Sequence, residues 1–430
     1  MNRDMKNRFY AAGSMMALCF LVCQAGCSGR AVSEAPEQVQ SEIMVPAIFR
    51  VDPETNVSEN KGFADEFNRK YKGIYHIEAE WITENAYGYR NKVKQWNVLD
   101  IMPAVVVDAG FDNDFYRLLV ENERLVDLRP YMEESPFWMD AMNPDILADS
   151  TEEDGSIYLS PLGSGMYSYA GIIYNEELLQ QAGYEEIPET WGGFFQCMDA
   201  LEQKGITPLA LHGTGSYWVP MLFATAYMES TPEGKNFLGQ EFPESYRNES
   251  MCEMLEMVKR LYRYSYGDAL DIEYEQAANR FLNNETAMIA NGYWMFDAMT
   301  EEMKKKMRFA HFPGGILMNS PRMSAWAVCA GYDEKVIEGA VKVLEYRIKR
   351  EQEDRQALYG GAAASPLEAS YYEAVKTVQG VMPNYQTKWE QEIQNEFFTE
   401  YMPGFISGNI STGEFLRMMD ERNKTIRARK

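Results

Sequence analysis

The sequence predicts an α/β protein built as two lobes, and three observations predict it. The chain has 430 residues, which at roughly 150 residues per domain exceeds one ordinary core and suits two lobes of about 150 to 200 residues each. Short apolar runs alternate with amphipathic segments along its length, the pattern of strands covered by helices. One run, Val105-Val106-Val107, is continuously β-branched, as befits a strand buried on both faces of a parallel sheet. With 46% hydrophobic and 25% charged residues the composition is that of a globular protein. Beyond the N-terminus no apolar run reaches the ~18 residues that a membrane span requires.

The first residues read as an export signal. Arg3, Lys6 and Arg8 precede an apolar stretch from Phe9 to Val22 that runs into small residues. Ala25-Gly26-Cys27-Ser28 then resembles a bacterial lipobox, with Gln24 where that pattern prefers an aliphatic residue. The resemblance implies cleavage after residue 26, acylation of Cys27 and anchorage to the cell membrane by lipid; an uncleaved anchor or an ordinary signal peptide would use the same apolar stretch. Residues 27–42 are small and polar without apolar periodicity and read as a flexible tether. Three of the six cysteines fall in the leader region. The rest, Cys197, Cys252 and Cys329, are widely scattered, an odd number with no metal-ligand spacing, and read as small buried hydrophobes. The formal net charge is −24 although the leader itself is basic. Such acidity disfavours nucleic acid as a partner, because phosphate backbones need basic patches, and it suits a secreted surface.

In the body, Ile43 to Arg50 reads as a first strand, and the Asp52-Pro53 turn leads to an amphipathic helix over Gly62 to Tyr71. Strands are expected at Tyr75 to Trp81 and across Val98 to Asp108. A helix and short strand follow over Phe115 to Leu128, with a turn at Arg129-Pro130-Tyr131 and another at Asp154-Gly155-Ser156 before Ile157 to Pro161. From Gly171 a strand ends at Tyr174-Asn175, a helix stops at Gly183, Pro188 and Thr190 open a second helix carrying Phe194, Phe195, Met198 and Leu201, and a strand runs from Ile206 to Leu211.

That module, with Ile-x-Tyr-Asn at 172–175 and Pro-x-Thr-Trp at 188–191, closely resembles the family 1 extracellular solute-binding proteins. Further blocks agree in order: Gln276 to Trp294, ending in Gly-x-Trp; Pro313-Gly314-Gly315; Ser324 to Val328; the helix Lys335 to Arg350; and the loop Gly360 to Pro366. The resemblance spans roughly residues 43–430. It implies the two-lobe periplasmic-binding-protein fold, with hinge crossings and a ligand cleft between the lobes. Lobe 1 would comprise 43–165 and 320–366, and lobe 2 would comprise 166–319 and 367–430. The implied function is capture of a carbohydrate, an oligosaccharide by preference, for the permease of an ABC importer, by a monomer outside the cytoplasm and without metal or organic cofactor.

Sugars present apolar C–H faces and hydroxyl edges, so their sites need flat aromatic platforms and groups that accept hydroxyl protons. Trp294, in the Gly-x-Trp element, is the first candidate platform. Tyr217 and Trp218 follow the loop Gly213-Thr214-Gly215-Ser216. Tyr167, Ser168 and Tyr169 lie at the interlobe crossing, where hinge packing is the rival role. Asp108 and Asp112 fall where the family brings carboxylates toward hydroxyls, or else form a solvated turn. Trp389 and Trp326 complete the set, Trp326 with a core role as its rival. Trp191 reads as a packing anchor at a helix start, and Trp81 and Asp52 are weaker candidates.

Against an enzyme, only His76, His212 and His311 are present, with no His-Glu-x-x-His, no Gly-x-Ser-x-Gly elbow and no phosphate-binding loop. A carboxylate pair for glycoside hydrolysis is a remote alternative, since Glu152-Glu153 and Glu185-Glu186 look like solvated turns. A nearer rival keeps the fold and changes the job, to a non-sugar solute or to presentation of ligand to a membrane sensor.

Overall fold

The computed structural model describes residues 41–50, 57–84, 86–107, 111–161, 169–215, 217–240, 243–319, 325–360, 363–383, 389 and 391–429. Among them run ten strands: β1 (Ile43–Arg50), β2 (Tyr75–Ile82), β3 (Val105–Val106), β4 (Ala170–Asn175), β5 (Thr207–Leu209), β6 (Thr286–Gly292), β7 (Met307–Ala310), β8 (Ile316–Met318), β9 (Ala327–Val328) and β10 (Gly380–Met382). They form two sheets, ordered β2-β1-β3-β9 and β10-β8-β4-β6-β5, with β7 paired to β4.

In the first sheet β1 pairs in parallel with both β2 and β3, while β9 returns antiparallel to β3. The valine run explains why helices must cover both faces. Val105 and Val107 enter one core with Phe49, Phe63, Phe67 and the long helix Glu334–Gly360, through Ala340, Val343 and Leu344. Val106 enters a second core with Tyr89, Val93, Phe115 and Leu119. The strand is shorter than the expected span from Val98. Val98 and Leu99 instead close a helix, Ala86–Leu99, and Pro103, which has no N–H to donate to a ladder, stands before β3. Arg129-Pro130-Tyr131 likewise opens the short helix Arg129–Glu134, because proline is tolerated in a first helical turn.

In the second sheet β4 and β6 are buried along their whole length. The module after Gly171 takes the expected form. Asn175 caps the helix Glu176–Gln181 by accepting from Glu177 and Leu178, and Gly183 follows at φ +86, a conformation that glycine adopts without strain. Thr190 accepts from Gly193 at 3.2 Å to open the helix Trp191–Gln203, whose Phe194, Phe195, Met198 and Leu201 are buried. The helix Trp218–Glu229 is buried almost all round, against β6 and the amphipathic helix Glu249–Arg263. The helix Pro144–Ser150 joins this second core through Ile146, and the Asp145 carboxylate accepts from the Val381 amide at 3.1 Å. Among the described residues no helix is long and apolar enough to cross a membrane.

Candidate functional site

Strand directions decide which side chains meet. β5 and β6 are parallel, with Leu209 opposite Met288, so the segments leaving their C-terminal ends emerge on one edge of the sheet. From β5 that segment ends in Trp218; from β6 it passes through Gly292 to Trp294. β4 runs antiparallel to β6 with Ala170 opposite Gly292, and β8 antiparallel to β4 with Met318 opposite Ala170. The same edge therefore receives the chain arriving from the first sheet at Tyr169 and releases it after Met318. In the first sheet these crossings meet as a pair: Ser160 and Trp326 exchange two backbone hydrogen bonds of 2.8 Å, just beyond the C-terminal end of β3.

On the second-sheet edge three aromatic rings form a wall. The centroids of Trp218 and Trp294 are 6.4 Å apart at 47°, and those of Trp218 and Tyr274 are 5.1 Å apart at 52°. Trp294 is 48% exposed, so part of its indole faces solvent. Its inner side is backed by the main chain, because a Cβ placed on Gly292 would fall 2.3 Å from the indole. The Gly-x-Trp spacing thus has a steric cause: only a residue without Cβ lets the ring fold back there. Buried Asn291 holds the turn, donating to the Tyr274 hydroxyl at 2.8 Å and accepting from the Gly292 amide at 2.8 Å. Burial raises the Tyr274 phenol above its ordinary range, opposed by the Asn291 hydrogen bond, so the ring keeps its proton at neutral pH. Behind it lies the His212 ring, 5.8 Å away, whose carbonyl accepts from the Tyr262 hydroxyl at 2.6 Å.

Of the sequence candidates among the described residues, only Trp294 and Trp218 are brought together with an open face. Tyr217 is a correction: its side chain is 3% exposed, and burial, with Asp271 adding, pushes its phenol well upward. Trp389 is another, 3% exposed and set edge-on against Tyr246 and Phe397 at 5.5 and 5.0 Å. Tyr169 is buried, and Trp326 is enclosed by Phe49, Phe63 and the Arg347 guanidinium, which sits 4.2 Å from its ring. Rings so enclosed offer no face to a ligand. Asp112 is committed locally, capping the helix Asn113–Glu121 through Phe115 and pairing with Lys94. Trp191 packs edge-on against Phe194 and Tyr227, as a helix anchor would. Trp81 lies against Phe49 at 4.9 Å. Asp108, Tyr167, Ser168, Asp52 and Cys27 lie outside the described residues.

Tyr274 and His212 escaped sequence reasoning. Tyr274 stands two residues before the Gln276 to Trp294 block, in a capping box formed by Glu273 and Gln276, and only the fold makes it Trp218's neighbour. Two concavities, of about 490 and 370 Å³, flank the helix Glu249–Arg263 and share Cys252; neither is lined by a wall residue.

Residues 62–380 match the bacterial extracellular solute-binding protein family, and the chain belongs to it. The family's members are binding proteins outside the cytoplasm. Over 212 residues the chain is 24% identical to a multiple sugar-binding protein of Streptococcus mutans. That stretch is 46% of this chain and 49% of the relative, and the chain spans about half the length of the curated relatives it matches. Its fold is similar to that of a chitin oligosaccharide binding protein, with a TM-score of 0.70 at 16% identity over 89% of this chain and 98% of the other. A Streptococcus pneumoniae solute-binding protein, solved with the blood group A-trisaccharide, aligns with a TM-score of 0.70 at 15% identity over 89% of this chain and all of that one.

Proposed function

We propose that this chain captures a saccharide between two lobes and delivers it to the permease of an ABC importer, anchored outside the cytoplasm through lipid on Cys27. The wall of Trp218, Tyr274 and Trp294 carries the reading. Two tilted indoles side by side, one backed by glycine and half open, present apolar surface broad enough for successive pyranose faces, with the Tyr274 hydroxyl as an edge polar group. The relatives named for sugars support the same substrate class. In this reading lobe 1 comprises 43–165 and 320–366, lobe 2 comprises 166–319 and 367–430, and the wall belongs to lobe 2. The helix Pro144–Ser150, numbered with lobe 1, packs with lobe 2. The ligand's preference for the closed arrangement sets the population the permease meets, and no bond is made or broken.

The test is tryptophan emission of residues 28–430 titrated with mono- and oligosaccharides, with amino acids, short peptides and dicarboxylates as comparators. A saturable change with saccharides alone is expected. A response confined to peptides or carboxylates would reassign the ligand class.

A further inference from the structure

The edge of the first sheet at which Ser160 and Trp326 meet carries a pair of guanidiniums. β1 lies between β2 and β3 and runs parallel to both, so all three end at this edge, and Arg50 is the last residue of β1, opposite Ile82. Side chains alternate along a strand. Ile48 enters the core that holds Ile82, Tyr89, Val93 and Val106, so Arg50, two residues on, stands on the same face, the one covered by the helix Ala86–Leu99. That helix is fixed to the same end of the sheet, because the Tyr89 hydroxyl donates to the Val107 carbonyl at 2.6 Å, just past β3. Arg90 follows Tyr89, and Lys94 lies one turn further along the face that Arg90 occupies. Lys94 pairs with Asp112, the cap of the helix Asn113–Glu121. The Asp112 carboxylate and the Arg50 guanidinium are both within electrostatic reach of Arg90.

Three cations thus gather around one carboxylate, and that carboxylate is already engaged: Asp112 accepts from the Phe115 amide at 3.0 Å and from Lys94. Other acids of these elements are held elsewhere. Glu84 pairs with Lys92 at 3.9 Å, and Glu152 accepts from the Tyr116 hydroxyl at 2.5 Å. Half-buried Arg50 has no acidic partner among the described residues. The chain does not lack acids, with 65 Asp and Glu against 41 Lys and Arg, so a guanidinium left beside a like charge is notable. Burial lowers the Arg90 guanidinium from its ordinary range; Asp112 opposes this and Arg50 reinforces it. Two like charges held together and partly out of water cost free energy that an incoming anion would offset.

We propose that the captured saccharide is anionic, and that Arg50 and Arg90 receive its acidic group, a carboxylate or a sulfate ester, while its ring faces rest on Trp218 and Trp294. A guanidinium fork meets either oxyanion with two parallel N–H···O bonds, a charge-assisted pairing that a neutral hydroxyl does not offer. The two edges then divide the recognition. Aromatic faces on the second sheet supply apolar contact to any pyranose, and the cations on the first sheet select for charge. Such an anion also favours closure, because only the closed arrangement lets one ligand touch both edges. The inference rests on the saccharide reading above and narrows it.

The test uses residues 28–430, of which Ser41–Lys430 form one compact unit, and probes matched in everything but charge. Calorimetry compares a panel of uronate oligosaccharides with their methyl esters, and a panel of sulfated oligosaccharides with their desulfated forms. At least one acidic member should bind about tenfold or more tighter than its neutral counterpart, the worth of a hydrogen bond to a charged group. Whether that member carries carboxylate or sulfate identifies the acidic group. Arg50→Gln and Arg90→Gln, each with a melting temperature near wild type, should lower the ratio of acidic to neutral affinity about tenfold. Arg50→Lys, which keeps the charge and loses the fork, should restore part of it, and Lys92→Gln on the same helix should leave it as it is. Tight binding of neutral oligosaccharides with no gain from an acidic group would overturn this inference and leave the proposed function standing. An acidic preference that survives both glutamine variants would overturn it as well. Silence toward every saccharide, neutral or acidic, would remove the proposed function and this inference with it.

Discussion

A tryptophan can give a ligand one face when something holds the other, and the Gly292 main chain lies against the indole of Trp294. Two predictions follow from that pairing. Trp294→Ala should weaken saccharide binding by about 1.5 kcal/mol or more, roughly tenfold, as buried aromatic anchors typically do; titration calorimetry checks this, and unchanged affinity in a folded variant would remove Trp294 from the site. Gly292→Ala should do nearly as much without touching the ligand. Its backbone φ of −116° suits alanine, but the new methyl displaces the indole, so affinity should fall while the melting temperature stays close to wild type. The cysteines give an independent check at the same scale. Burial raises the thiols of Cys197 and Cys329 to about 12, so both should resist alkylation at neutral pH until the chain unfolds, whereas Cys252, half-buried at the mouth of two concavities, should react first. Mass mapping after timed alkylation would read the order.

Local punctuation made some elements legible and hid others. The caps at Asn175 and Thr190 and the stop at Gly183 are written in single residues, so the strand–helix–helix–strand module could be read directly. The helix Ala86–Leu99 could not, because its last residues, Val98 and Leu99, lead into the apolar run before β3 and merge with it by hydropathy alone. Trp389 was hidden for a related reason: only three-dimensional packing reveals that Tyr246 and Phe397 enclose its ring. Trp218 and Trp294 were found one by one from motif and loop, while their contact with each other and with Tyr274 depends on β5 lying parallel to β6, a long-range pairing no local signal encodes. One element-scale contact has a measurable weight. Asp420, on the C-terminal helix Thr412–Arg427, accepts from the Ser245 hydroxyl at 2.8 Å and the Tyr246 amide at 2.6 Å. Asp420→Ala should leave that amide unsatisfied and cost on the order of 1–3 kcal/mol in chemical denaturation. A neutral result would mean that the helix is held by its apolar face, Phe415, Leu416 and Met419, alone.

For the molecule as a whole, the proposed function asks that binding between the two sheets be converted into shape. The wall lies where the chain arrives from the other sheet, and in the proposed function a ligand resting on it would meet the first sheet's C-terminal ends on closure. The acidic surface keeps such a protein soluble and off an anionic membrane. The measurement that tests the central claim most directly is the melting temperature of residues 28–430 against a panel of mono- and oligosaccharides, because a ligand bound only by the folded state raises it by mass action. A rise of several degrees with one class of saccharide, lost in Trp294→Ala, is the predicted result. A melt unmoved by every saccharide and raised by another class of solute would contradict the account.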